Sequence, residues 1–408
     1  MMNISDKSRK KLVLIGRNGA GKTYLLEKVL RDSNAIMLTG DGAPILGREI
    51  NKVEIDTKRK MYIYNNESQR GIVNNPTEVS IDSKIYKLVI YCNKILGKLN
   101  SIDKLSKGQE KLKNMMMALT QYNLNNIKYI LFDEPDTYLD EEYLKIIVEV
   151  VNIIIESDIC VRISTHSPRL LKILNLDISE ILLINRLKTP IILSNDKIIE
   201  EYNLLAEKME EFRRQSNVDK TSGLDFKLNM GGNKELIEYF VEQNIKNEKF
   251  YRCLFCNTVI IVEGESEIIA LEQIKDEIAK SVCVFSANGK AFIPFFVWLF
   301  VFFSKEVIVV IDEDNIKKRA YEITLYLKKL DERGEIKLVT HNPDLEGFYE
   351  INDDEIATQI GMSDSVKKNN RGWLKIIASY ISFKEADKRS KLINHIFQNK
   401  EGEKFDFV

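Results

Sequence analysis

Two apolar runs in this 408-residue chain end in crowded carboxylates. "TVIIVEGESE" delivers Glu263, Glu265 and Glu267 together, and further on "EVIVVIDEDN" stops at Asp312, Glu313 and Asp314. Carboxylates held close repel one another, and the remedy is a cation or partial protonation. A second chemistry is written near the start. "GRNGAGKT", Gly16 to Thr23, follows an apolar strand and precedes a helix, and it fits the pattern G-x-x-x-x-G-K-[ST]. In that pattern the backbone N–H groups around Gly16, Asn18, Gly19 and Gly21 cradle phosphates, Lys22 neutralises the terminal ones, and Thr23 holds Mg²⁺. In "YILFDEPDTYLD", Asp133 at a strand end would complete the Mg²⁺ site, and Glu134 is placed to orient or deprotonate a water.

Such residues need rigid elements to hold them. Strand, glycine loop and helix open the chain, and apolar strands recur at 129–133, 159–165 and 180–185 with helical periodicity between them. From Thr258 a second alternation of strands and helices predicts another parallel sheet of at least four strands, followed by a helical tail. With two strands of one parallel sheet ending in acids, those ends share one rim, where open α/β sheets keep their sites. Between the two regions, Ile198, Tyr202, Leu205, Met209 and Phe212 step by three and four along an amphipathic helix. Residues 196–250 therefore read as a helical connector, packing on the first domain or pairing with another copy. The predicted division is 1–195, 196–250, 251–365, and a tail at 366–408 with ten Lys or Arg against five Asp or Glu.

Composition sets bounds. A net charge of -1 gives no global sign of nucleic-acid binding, so any basic surface is local, the tail being the candidate border of a DNA path. "AFIPFFVWLFVFF" contains a proline and falls short of the ~20 residues that span a bilayer, so it reads as a buried helix and no membrane is expected. The cysteines Cys92, Cys160, Cys253, Cys256 and Cys283 are few and mostly lie in apolar runs, and "MMNISDKSRKKLVLIG" lacks the apolar stretch and small-residue cleavage site of a signal peptide; a reducing, cytoplasmic setting is expected. The C-x-x-C at Cys253 and Cys256 has no partner pair or nearby histidine for zinc.

In the order "GRNGAGKT", "LSKGQ", "DEP", Leu139–Asp140 and His166, the first half resembles the ABC-type ATPases of the SMC, RecF and OLD (overcoming lysogenization defect) group. The resemblance implies ATP as ligand and a composite site. Ser106 and Gly108 of one subunit close over the γ-phosphate held by Lys22 of another, with Asp140 in the adjoining loop and His166 as γ-phosphate sensor. A homodimer or higher oligomer through the ATPase domains follows. Ser106 also reads as a plain helix cap. Family members carry antiparallel strands and an adenine contact ahead of the loop, whereas here the loop begins at residue 16. Residues 49–71 are expected to supply replacement strands, and Gln69 the glutamine that links Mg²⁺ to the fold.

The second half resembles the TOPRIM domain of topoisomerases, primases and OLD-family nucleases, through Glu263–Gly264 and then Asp312-x-Asp314. "CLFCNTVIIVEGESE" is similar to the OLD family's entry into this domain. The resemblance implies that Glu263, Asp312 and Asp314 hold one Mg²⁺ or Mn²⁺, and that Glu267 with Glu346 of "DLEGFYE" helps hold a second. Two such ions activate water and stabilise a leaving oxygen. Lys375 in "RGWLKIIASY" is the candidate support for the scissile phosphate, while Glu265 and Glu313 are expected to be solvated.

The expected protein is thus α/β: a compact ABC/SMC-like P-loop ATPase domain and a Rossmann-like TOPRIM domain joined by a helical connector. The expected function is an ATP-hydrolysing, metal-dependent DNA endonuclease or nickase of OLD type, with a defence role and defence partner proteins implied by resemblance alone. The rival is a RecF/SMC-like ATP-switched DNA-binding protein whose TOPRIM domain does not cleave.

Overall fold

The computed structural model describes residues 4–48, 50, 52–55, 60–64, 77–80, 82–185, 188–215, 234–278, 281–313 and 321–397. The chain divides into two compact units, Met1–Ser194 and Asn195–Val408.

In the first unit, β1 (Lys11–Ile15), β2 (Ala35–Leu38), β7 (Tyr129–Asp133), β8 (Cys160–Ser164) and β9 (Ile181–Asn185) run parallel in the order β9-β1-β8-β7-β2. Their near-continuous apolar runs are almost wholly buried, as strands covered on both faces require. Antiparallel β3 (Pro44–Leu46) and β10 (Lys188–Ile191) close the two edges. A separate antiparallel sheet holds β4 (Lys52–Ile55), β5 (Lys60–Tyr64) and β6 (Thr77–Ser80). Two of those strands fall within the stretch expected to supply them. Side by side, β1, β8 and β7 release at one edge the phosphate loop, Ser164 and Asp133. Arg162, fully buried in β8, donates to the carbonyls of Ile4, Asp6, Arg9 and Val161, which satisfies the hydrogen-bonding capacity of its guanidinium.

In the second unit, β11 (Thr258–Val262), β12 (Val282–Ser286), β13 (Glu306–Asp312) and β14 (Lys337–His341) form a parallel sheet ordered β12-β11-β13-β14. The run that mimicked a membrane segment is the helix Ile293–Phe302, buried along most of its length. Among the described residues no helix is long and apolar enough to cross a membrane.

Two expectations about boundaries change. The amphipathic helix Asn195–Gln215 packs within the second unit: Tyr202 meets Phe295 and Phe240 at ring distances of 5.6 and 5.9 Å, and Phe212 meets Tyr326 at 5.8 Å. Its apolar stripe is thus covered by the rest of that unit. As far as residue 397 the basic tail is likewise no appendage, because Leu374, Ala378, Phe383, Leu392 and Ile396 share a core with Ile260, Val310 and Val339 of the sheet. The cysteine reading also changes, for Cys256 and Cys283 are joined as a disulfide.

Candidate functional site

The glycine loop after β1 is shaped by backbone freedom. Gly19 and Gly21 adopt φ of 74° and 99°, and a side chain on Gly16 would lie 2.4 Å from the Ile184 carbonyl. Lys22 opens the next helix almost completely buried, its Nζ donating to the carbonyls of Gly16 (3.0 Å) and Arg17 (3.2 Å). The same Nζ lies 2.6 Å from His166 Nε2, which stands 3.2 Å from Glu134 Oε1. Burial, and then the Lys22 charge, push the His166 pKa down, so the ring is neutral and Nε2 accepts from the ammonium. Thr23 Oγ1 donates to both Asp133 carboxylate oxygens at 3.2 and 3.1 Å, and Ser164 donates to the same carboxylate. Lys22, Thr23, Asp133, Glu134 and His166 are therefore one constellation.

Ser106 caps the helix Lys107–Gln121 in a reciprocal box, its Oγ accepting from Gln109 N while Gln109 Oε1 accepts from Ser106 N. It is exposed at that helix N-terminus, so the cap and an anion-binding role coexist. Gly108 is required by close approach: a Cβ there would sit 2.3 Å from the Tyr138 carbonyl. Asp140 caps the next helix by accepting from Tyr143 N at 3.1 Å. Sequence reasoning passed over Lys111. It is buried one turn into the signature helix, and its Nζ donates to the carbonyls of Glu134 (2.7 Å) and Thr137 (3.1 Å). Burial pulls its pKa down to about 8.

In the second sheet, β11 and β13 are neighbours, so the two acidic strand ends do share a rim. Asp312 is pushed up to about 6, first by burial and then by the charges of Glu263 and Glu346. Glu267 is buried and pushed up to about 7 by burial, with Asp312 and Glu263 adding to it. Asp312 Oδ1 accepts from Leu345 N at 2.9 Å, and Glu346 on the same short helix accepts from Lys375 Nζ at 3.0 Å. Burial opposes the charge of Lys375, yet Glu346 and the other acids raise its pKa. Glu265 is exposed as expected, whereas Glu313 is half-buried and paired with Lys328 at 2.8 Å. Another residue missed from sequence is Lys290, buried after Gly289, with Nζ donating to the Asp312 carbonyl at 2.9 Å. A lysine after Asn-Gly at a strand end in the same parallel sheet was the available signal.

The family comparisons agree with this division. Residues 254–314 match the family Overcoming lysogenization defect protein-like, TOPRIM domain, and residues 2–137 match the family ABC transporter. The chain fuses an ABC-type ATPase domain to an OLD-like TOPRIM domain. Over 191 residues the chain is 27% identical to a protein of Archaeoglobus fulgidus provisionally named an ABC transporter ATP-binding protein. That match covers 42% of this chain and 62% of the relative, so the chain spans less than two thirds of the relative's length. Among solved structures, an ABC transporter provisionally of metal-chelate type, in an inward-facing conformation, aligns at 16% identity and a TM-score of 0.27, covering 47% of this chain and 78% of that one. The ATP-binding cassette MJ0796, a dimer in a post-hydrolysis state with ADP and Pi, aligns at 14% identity and 0.26, covering 47% and 88%.

Within the TOPRIM domain, the donor set suits a hard divalent cation, because Glu263, Glu267 and Asp312 offer carboxylate oxygens whose mutual repulsion a cation would relieve. Among the described residues no three His, Cys, Asp or Glu side chains already stand together as a closed ligand set. Asp314, the expected third ligand, lies outside the described residues, as does Gln69 in the ATPase domain. Beyond Glu346, a cavity of about 740 Å³ is lined by Glu350, Asn352, Asp353, Lys367, Arg371 and Leu374.

Proposed function

We propose that this protein is an ATP-binding and ATP-hydrolysing, divalent-metal-dependent DNA endonuclease or nickase. The observation that carries the nuclease half is the pairing of β11 with β13, which brings Glu263 and the buried Glu267 of the following helix beside Asp312 at one rim, with Lys290 and Lys375 tied into it and burial and mutual charge raising the pKa of Asp312 and Glu267. Such a cluster costs stability unless a cation is its purpose. Glu263, Glu267, Asp312 and Glu346, with Asp314, would hold Mg²⁺ or Mn²⁺. When bound, the metal supplies an activated water and charge neutralisation at a phosphodiester. Lys375 supports the scissile phosphate once Glu346 turns to the metal, and Lys290 fixes the Asp312 main chain.

In the ATPase half, Lys22 and the loop amides take the phosphates, Thr23 and Asp133 the Mg²⁺, and Glu134 the hydrolytic water, with His166 between Lys22 and Glu134 as sensor. The exposed Ser106 at its helix N-terminus suits ATP bound by a second copy, so the proposed working form is at least a dimer. Likeness to the OLD family adds a role in phage defence to the proposal. Supercoiled plasmid incubated with the protein, with Mg²⁺, Mn²⁺ or EDTA and with or without ATP, tests the reading. Nicked or linear product that requires the metal is expected. Intact plasmid under every metal condition, with DNA still bound, would favour the non-cleaving RecF-like switch.

A further inference from the structure

His341 closes β14 directly beside the acidic rim. It pairs in register with Asp312 of the neighbouring parallel strand, so both side chains leave the sheet on the same face. The imidazole is fully buried, and neither ring nitrogen has a hydrogen-bond partner among the described residues. Buried polar atoms are almost always paired, so two orphans on one ring call for a reason. The ring is not loose: Phe348, Tyr349 and His395 surround it at 5.4, 5.3 and 5.5 Å between centroids. That packing fixes its direction, and Nδ1 lies 3.9 Å from Asp312 Oδ1. A hydrogen bond needs about 2.7–3.2 Å. Closing the gap takes a turn of the Asp312 carboxyl toward the ring.

We propose that His341 is a positioning residue for Asp312: its Nδ1–H, beside the Leu345 amide, holds Oδ1 and leaves the other carboxylate oxygen to a divalent cation. The proposal rests on the reading of the TOPRIM acids as metal ligands. The logic is that of an outer-shell donor, which orients a ligand without touching the ion. The sequence could not reveal it, since only the strand register places His341 next to Asp312.

The test measures Mn²⁺ binding to the full-length protein without nucleotide, from the loss of the free-ion electron paramagnetic resonance signal, with thermal unfolding on the same samples. Asp312→Ala defines which binding belongs to the rim. His341→Phe keeps a ring and removes both nitrogens, and it should raise the Mn²⁺ dissociation constant about 10–100-fold. His341→Asn keeps an N–H donor near the Nδ1 position and should stay within roughly threefold of wild type, whatever either change does to stability. Should the Phe variant not fold, His341→Leu gives the same comparison. Wild-type affinity in the Phe or Leu variant overturns the proposal, and so does equal weakening in the Asn variant, because a merely structural ring would behave so. If Asp312→Ala itself binds Mn²⁺ as wild type does, the metal-site reading falls and the positioning role falls with it.

Discussion

Lys111 holds Glu134 by its backbone. The ammonium donates to the Glu134 carbonyl at 2.7 Å, while the Glu134 N–H donates to the Ser164 carbonyl at 3.0 Å. Between those two grips Glu134 takes a φ of 50°, a left-handed conformation that costs a non-glycine residue on the order of 1 kcal/mol or more. A buried lysine on the signature helix thus maintains the strained turn that aims the carboxylate proposed for water activation.

Removing that grip should uncouple binding from turnover. Lys111→Met keeps the apolar stem, so nucleotide affinity should stay near wild type while the ATP turnover number falls about tenfold or more, as for loss of a precise alignment. Equilibrium binding of a fluorescent ATP analogue and steady-state hydrolysis separate the two. Turnover equal to wild type would show that Glu134 keeps its place unaided.

Division of labour inside the phosphate site gives a second expectation. Lys22→Ala should lose nucleotide binding, because the buried ammonium meets ground-state phosphate charge. Glu134→Gln should bind ATP, stall hydrolysis and accumulate as an ATP-dependent dimer in sedimentation velocity. Full ATP turnover by the Glu134→Gln protein would remove Glu134 from its role, and a monomer with ATP bound would count against the composite site.

The acidic rim predicts a stability signature without metal. Asp312 titrates near 6 in the folded protein, against 3.8 ordinarily, so the native state holds its proton more tightly than the unfolded chain does. Below pH 4 both states are protonated and nothing is lost. As pH climbs from 4 through 6 the unfolded chain releases its proton first, and native stability falls by up to roughly 3 kcal/mol from this group. Asn at 312 has no such titration. In EDTA, the stability of Asp312→Asn relative to wild type should therefore grow between pH 4 and 7, measured by chemical denaturation. A difference that is flat with pH would mean that Asp312 is not charged at a crowded rim.

Much of this was open to view in the chain, for reasons that differ by residue. The phosphate loop is legible because its function resides in consecutive residues: Gly16 to Thr23 meet the same phosphates without any long-range contact. The sharing of a rim by Glu263 and Asp312 followed from the rule that parallel strands expose their ends together. Lys111 and His341 were not legible, because each acts on a residue far away in sequence and its own neighbours announce nothing, whereas Lys290 was marked only by the Asn288–Gly289 turn before it. The helix Asn195–Gln215 shows the same limit: its stripe of Ile198, Tyr202 and Met209 demanded a partner, yet only the fold shows that Phe295 and Phe240 supply it.

We propose that two chemistries reside in two separate sheets of one chain. This is tested most directly by assaying plasmid cleavage and ATP hydrolysis on the same preparation of Asp312→Ala, in Mg²⁺ and in Mn²⁺, beside wild type. Cleavage should be lost with either metal while ATP hydrolysis survives, since Lys22, Asp133 and Glu134 lie at the edge of the other sheet. Cleavage by Asp312→Ala at the wild-type rate in both metals would contradict it.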